Sequence, residues 1–151
     1  MEVEKWLRKD DMLNEKSMPY QASLADIQKN YLTTPPTSVP NGQCVAFVEK
    51  VAGTPRTAGW TRGAKVAGNA TLAPGTAIAT FDPTGLYGNH TDGRSHGAIY
   101  VSQAPNGIVV YDQWLGQPVH QRTIRFPDPA NPPTPVNDAT QFYVIEPLPM
   151  A

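Results

Sequence analysis

Apolar positions change their spacing along the chain. They recur at helical intervals in the first third and alternate or run together afterwards. Residues 2–9 (Glu-Val-Glu-Lys-Trp-Leu-Arg-Lys) predict a short helix. Ser23-Leu24-Ala25-Asp26 matches a capping box with Asp in place of Glu, and starts a second helix reaching about Leu32. A Thr/Pro connector over 33–40 separates it from a third helix over 42–53. There Cys44, Val48, Val51 and Ala52 fall on one stripe, expected to be buried, and Gly53 ends the helix. Residues 54–73, with Trp60 and Arg62, read as a loop or short helix.

Strand patterns follow. Residues 76–81 form one after the Pro74-Gly75 turn, then 97–102 and 108–113 around a Pro105-Asn106-Gly107 turn, and 140–146 last. Between the first two lies a polar, Gly-rich loop over 82–95, and the five prolines of 127–138 read as a surface loop. Helices first and antiparallel strands after give an α+β class, with N-terminal helices packed on a central antiparallel β-sheet. No internal repeat is visible.

Composition narrows the function classes. The 151 residues suit one domain, 1–151, and 40% hydrophobic residues support one modest core. A net charge of -1 argues against a nucleic-acid partner, which calls for a basic face. No window approaches the roughly 20 apolar residues that cross a bilayer. The charged residues 1–11 contain no apolar segment of a secretory signal. With a single cysteine, this predicts folding in a reducing cytoplasm, without excluding later export. The 16 prolines and 12 glycines imply many turns and long ordered loops.

That one cysteine, Cys44, carries the candidate chemistry. Read with Asn41 as N-cap and Pro40-Asn41-Gly42 as a non-helical lead-in, Cys44 lies one turn inside a helix start, where free N–H groups and the helix dipole favour a thiolate. His96 opens the apolar strand expected to pack on that helix. A neighbouring imidazole lowers a thiol pKa further and moves protons in catalysis. Strand alternation puts His96, Ala98 and Tyr100 on one face, and Ile108, Val110 and Asp112 on one face of the next strand. The intervening turn sets Asp112 across from His96 or on its diagonal. Asp112 also interrupts an apolar run, where a charge needs a partner. The reading is Cys44 as nucleophile, His96 as general base and acid, and Asp112 as orienter, with Gln113 as the competitor for the third place. The Cys44 N–H contributes to an oxyanion hole. Trp60, in a glycine-flanked segment, is a candidate groove wall, with Tyr87, Asn89 and Gln113 as further substrate-binding candidates. His120 sits in a Gln-rich polar stretch and reads as surface.

Gly42-Gln43-Cys44-Val45, the later Trp60, Pro74-Gly75-Thr76-Ala77-Ile78-Ala79, His96-Gly97-Ala98-Ile99-Tyr100 and Val109-Val110-Tyr111-Asp112-Gln113-Trp114 together resemble the NlpC/P60 and CHAP branch of papain-like cysteine peptidases. These enzymes cut peptidoglycan stem peptides. The longer strings over 75–81, 89–96 and 111–120 are similar to small amidase effectors delivered by type VI secretion. The resemblance implies a papain-like NlpC/P60 fold with no cofactor and no membrane insertion. It implies a protein made without a signal peptide and injected by the type VI apparatus into a recipient's periplasm, with a cognate immunity protein as partner. It leans to the diaminopimelate–D-alanine cross-link as the target, with the γ-D-glutamyl–diaminopimelate bond as the other choice. Many NlpC/P60 enzymes place a second histidine where this chain has Asp112.

Two other readings remain at this stage. His90, Asp92, His96 and Asp112 could ligate zinc in a metal-dependent D-amino-acid peptidase, although His-x-Asp-x3-His is no established motif. Alternatively the domain is a wall-binding or interaction module without activity, in which Cys44 is buried and unreactive.

Overall fold

The computed structural model describes residues 20–148, so the helix expected over 2–9 lies outside the described residues. Helix α1 spans Leu24–Asn30, and the Ser23 side chain accepts the Asp26 N–H at 3.1 Å, as a capping box requires. Helix α2 spans Cys44–Ala52 and ends on Gly53 in the left-handed region (φ 71°). Its N-cap is Gln43, not Asn41. Asn41 instead takes a positive φ of 75° and its Oδ1 accepts the Gln43 N–H at 2.8 Å. This Asx turn, followed by Gly42 at φ 74°, aims the chain into the helix. Cys44 is therefore the first helical residue rather than one turn inside.

The strands are β1 (Trp60–Lys65), β2 (Ala77–Thr80), β3 (Gly97–Ala104), β4 (Gly107–Trp114), β5 (Gln117–Arg125) and β6 (Phe142–Pro147). They form one sheet in the order β1-β6-β2-β3-β4-β5, with every neighbouring pair antiparallel. Helix α2 packs on β3 and β4. The α+β class and the packing of helices on an antiparallel sheet are as expected.

Strands β1 and β5 are the two edges, and neither was expected. In β1 only Trp60 is fully buried, and β5 buries only Val119 and Ile124. Polar residues predominate along both, so their sequence carries no strand alternation; pairing with β6 and β4 defines them. The expected helix stripe is also displaced. Phe47 and Val48 are the fully buried residues of α2, while Cys44, Val51 and Ala52 are half-buried.

Alternation divides the core between the two faces. On the helix side Phe47, Val48, Trp60, Ala77, Ile99 and Tyr111 cluster; on the other lie Ile78, Ala98, Tyr100, Val110, Ile124 and Phe142. Gly97 faces α2 closely, since a Cβ there would lie 3.3 Å from Val48 and 3.4 Å from the Trp60 ring. His96 has the parity of Ala98 and Tyr100, and Asp112 that of Val110. They thus belong to the second face, whereas Cys44 opens a helix on the first. The two groups meet at the end of the sheet where β3 begins and β4 ends.

Candidate active site

The register Ile99↔Tyr111 makes Asp112 the diagonal neighbour of His96, the second of the two expected placements. His96 Nε2 lies 2.7 Å from Asp112 Oδ2. That bond leaves Nδ1 as the ring nitrogen available to the Cys44 sulfur, and His96, the Gly97 backbone and Tyr87 are the groups that act to lower the thiol's pKa. Cys44, His96 and Asp112 thus stand in one line.

The electrostatics of that line are coupled. Burial pushes the Cys44 thiol up, but the hydrogen bond and charge of His96, with Gly97 and Tyr87, bring its pKa below the usual thiol value. Burial works against a charged His96. The hydrogen bond to Asp112 and the contact with Cys44 overcome it and raise the imidazole to about 9. Both shifts favour a thiolate beside an imidazolium. Burial also acts against the Asp112 carboxylate, yet the contacts with His120 and His96 and the nearby Arg122 charge hold it well below the ordinary range. Tyr87 moves the other way, because burial and the neighbouring Cys44 charge keep its hydroxyl protonated and able to donate to sulfur.

A cleft of about 770 Å³ reaches Cys44 and His96, while Asp112 lies wholly buried behind the ring. Asn41, Gln43, Cys44 and Val45 form one wall, and Tyr87, Asn89, His90 and Gly93 of the 82–95 loop form another. His96 and Trp114 complete the floor and lip. As the first residue of α2, Cys44 has a backbone N–H with no partner four residues back within the helix. An N–H so placed suits a developing oxyanion.

Two expected substrate residues are elsewhere. Trp60 is wholly buried, its Nε1 donates to Pro55 O at 2.8 Å, and its ring packs on Tyr87 with centroids 4.9 Å apart. It supports the cleft wall from behind. Gln113 is also wholly buried, and alternation turns it to the helix side, away from Asp112. Its Oε1 accepts the Val39 N–H at 2.8 Å, and its Nε2 donates to Val39 O (3.2 Å) and Gln43 O (2.8 Å). Gln113 therefore clamps the lead-in to α2. Tyr87 and Asn89 do line the cleft.

The four residues considered for zinc do not converge. His90 Nε2 contacts both carboxylate oxygens of Asp82 at 3.0 Å, and Asp92 accepts from Arg94 Nε at 2.9 Å. Among the described residues, no group of three or more His, Cys, Asp or Glu side chains is arranged to hold a metal.

A profile of the family described as domesticated amidase effector 2 matches residues 18–145. The chain belongs to this family.

Among its relatives is a protein of Ixodes scapularis named domesticated amidase effector 2. It is 41% identical over 109 residues, covering 69% of this chain and 70% of that protein. Another, from Salmonella typhi, is named type VI secretion amidase effector 2 protein. It is 40% identical over 72 residues, or 48% of this chain and 53% of that protein. A solved structure named type 6 secretion amidase effector 2 (Tae2) superposes with a TM-score of 0.64 at 30% identity. It covers 75% of this chain and 88% of the other. The papain-like architecture expected from the sequence is the one this family shares.

In this member of the domesticated amidase effector 2 family, three residues around the line escaped the sequence reading. His120, expected at the surface, pairs opposite Asp112 across β4–β5 and is three-quarters buried, its Nε2 2.9 Å from Asp112 Oδ1. The pair is in ionic contact without the alignment of a hydrogen bond. Arg122 Nε donates to Asp112 Oδ2 at 2.8 Å. Trp114 stands on the cleft lip, edge-on to His120 with centroids 4.9 Å apart, and with the Arg122 guanidinium 5.2 Å from its ring. The available signal was the spacing of His120 and Arg122, two apart and so on one strand face.

Proposed function

We propose that this protein is a cysteine amidase that hydrolyses peptide bonds of peptidoglycan, with Cys44 as nucleophile, His96 as acid and base, and Asp112 as orienter. The observation that carries the reading is Cys44 and His96 together on the lining of an open cleft, with the buried Asp112 carboxylate behind the imidazole. Family membership supports it, because both names borne by the relatives contain an amidase.

The steps follow from the geometry. The Cys44 thiolate attacks the carbonyl carbon of the scissile amide. The carbonyl oxygen becomes an oxyanion facing the Cys44 N–H. His96 gives its proton to the departing nitrogen, the C–N bond breaks, and a thioester on Cys44 and a free amine result. Water then attacks the thioester while His96 takes its proton. The tetrahedral intermediate then expels the Cys44 thiolate, the acid product loses its remaining proton to solvent, and the thiolate–imidazolium pair is restored. Asp112 presents one ring nitrogen to the sulfur throughout. No step calls for a cofactor.

The bond we favour is the diaminopimelate–D-alanine cross-link, with the γ-D-glutamyl–diaminopimelate bond as the alternative. Delivery by a type VI apparatus into a recipient's periplasm, and a cognate immunity protein, complete the proposal. The relatives' names differ on that point, since one is a secretion effector and the other a domesticated one.

The test is digestion of purified Gram-negative sacculi, with products separated and identified by mass. Loss of cross-linked dimers is the expected result. Shortened monomer stems move the cut to the γ-D-glutamyl bond, and products identical to the blank reject peptidoglycan hydrolysis.

A further inference from the structure

The Asp112 carboxylate is shared. Its Oδ2 takes both His96 Nε2 (2.7 Å) and Arg122 Nε (2.8 Å), and it is wholly buried between them. A buried carboxylate is stable only if its lone pairs are matched, and a guanidinium offers donors on several sides at once. Each of the three Arg122 nitrogens donates in a different direction. Its Nη1 donates to Asn137 Oδ1 at 3.1 Å and its Nη2 to Val136 O at 3.2 Å.

That second anchorage leads back to the substrate side. The Val136 N–H donates to Gly93 O at 3.1 Å, and Gly93 lines the cleft. Contact there is tight, since a Cβ on Gly93 would lie 3.3 Å from the Thr134 side chain. A closed circuit results. It runs from His96 through Asp112 and Arg122 to the turn at Pro135–Asn137, then to Gly93 on the lining of the cleft that also holds Cys44 and His96.

We propose that Arg122 is a positioning residue of the reaction, fixing the Asp112 carboxylate, and through it the His96 ring, against the same turn that braces the cleft wall. This rests on the cysteine-amidase reading above. Cys44, His96, Asp112 and Arg122 then alternate in charge, minus, plus, minus, plus. The titratable and charged groups around His96 and its two partners are Cys44 from α2, Tyr87 from the 82–95 loop, Asp112 from β4, and His120 and Arg122 from β5.

A role in positioning differs from a role in folding in what it does to pH dependence. With Arg122 in place, Oδ2 divides its charge between two cations. In Arg122→Gln the Oδ2 charge acts on His96 alone, with His120 still at Oδ1, so the imidazolium holds its proton to higher pH.

The test measures kcat, KM and the pH profile of kcat/KM on cross-linked muropeptides for the full chain and three variants. For Arg122→Gln the expected result is kcat lower by about 10- to 100-fold, KM within about threefold, and an alkaline limb displaced upward. Arg122→Lys keeps a cation at Oδ2 but cannot also span to the turn. It should return the limb to its wild-type position and recover part of kcat. Asn137→Ala cuts one strut from the turn and should lower kcat less, at unchanged KM. If Arg122→Gln does not fold, the other two variants decide. An alkaline limb that stays in place in Arg122→Gln, or wild-type kcat in both Arg122→Lys and Asn137→Ala, overturns the inference. Hydrolysis that survives Cys44→Ala defeats instead the reading beneath it.

Discussion

His96 and Asp112 are joined at 2.7 Å although they occupy diagonal, not opposed, positions on neighbouring strands. The diagonal lets the carboxylate meet the far nitrogen of the ring, Nε2, and so turns the near one toward Cys44. Replacing Asp112 by Asn should lower kcat by about 10² to 10⁴, because the amide can hold the ring in the wrong tautomer. It also leaves the partly buried Arg122 without its countercharge and His96 with Cys44 alone, a loss of up to about 3–5 kcal/mol at neutral pH.

That stability difference should depend on pH in one direction. The folded-state pKa of Asp112 is depressed below its unfolded value of about 3.9. Its contribution is therefore fully present above about pH 4 and is lost as pH falls through the folded value. Thermal unfolding of wild type and Asp112→Asn should show the gap in Tm narrowing below pH 4. A gap that widens on acidification would contradict a depressed carboxylate.

Activity should follow a bell with displaced limbs. The alkaline limb reports His96 losing its proton, and should fall near pH 9 rather than near 6.5. The acid limb reports Cys44, and should fall below the ordinary thiol range. The rate of iodoacetamide alkylation against pH checks the acid limb separately. An inflection at or above the ordinary thiol value would leave no resting thiolate.

Tyr87 gives a narrower test. Its protonated hydroxyl stabilises the sulfur anion, so Tyr87→Phe should raise the thiol pKa. Alkylation at pH 7 should slow several-fold while the rate at pH 10, where the thiol ionises anyway, changes little. Equal slowing at both values would mean that Tyr87 governs access instead.

Trp60 and Gln113 should behave as structural residues. Trp60→Ala should cost about 3–5 kcal/mol through the cavity it leaves. Gln113→Leu strands the Val39 N–H and two carbonyls, at about 1–3 kcal/mol for each buried group left unpaired. Denaturant midpoints should fall in both. Material still folded should keep a KM within about twofold of wild type. A large rise in KM for folded Gln113→Leu would restore it to the substrate site.

What the sequence revealed follows from where information resides. Helix α1 carries its own cap in Ser23, and β2, β3 and β4 are apolar enough to declare themselves. In the hairpin the Pro105-Asn106 turn pairs Ala104 with Gly107, and a bulge between Tyr100 and Ser102 shifts the register by one residue and so brings Asp112 to the face of His96; alternation was legible in the sequence, that shift was not. By contrast β1 and β5 are edge strands whose polar residues have no period, so only their pairing makes them strands. Losing β5 from the reading also lost His120 and Arg122, which act through cross-strand contacts with Asp112. Trp60 misled for a local reason. Its flanking glycines suggested a loop, whereas Gly59 closes a single 3-10 turn and Trp60 begins a strand.

The most direct measurement compares wild type with Cys44→Ala on cross-linked muropeptides, with folding checked by circular dichroism. Hydrolysis through the Cys44 sulfur predicts a fall in kcat of at least about 10³-fold at unchanged fold. Turnover by Cys44→Ala within about tenfold of wild type would contradict it and transfer the chemistry to another group.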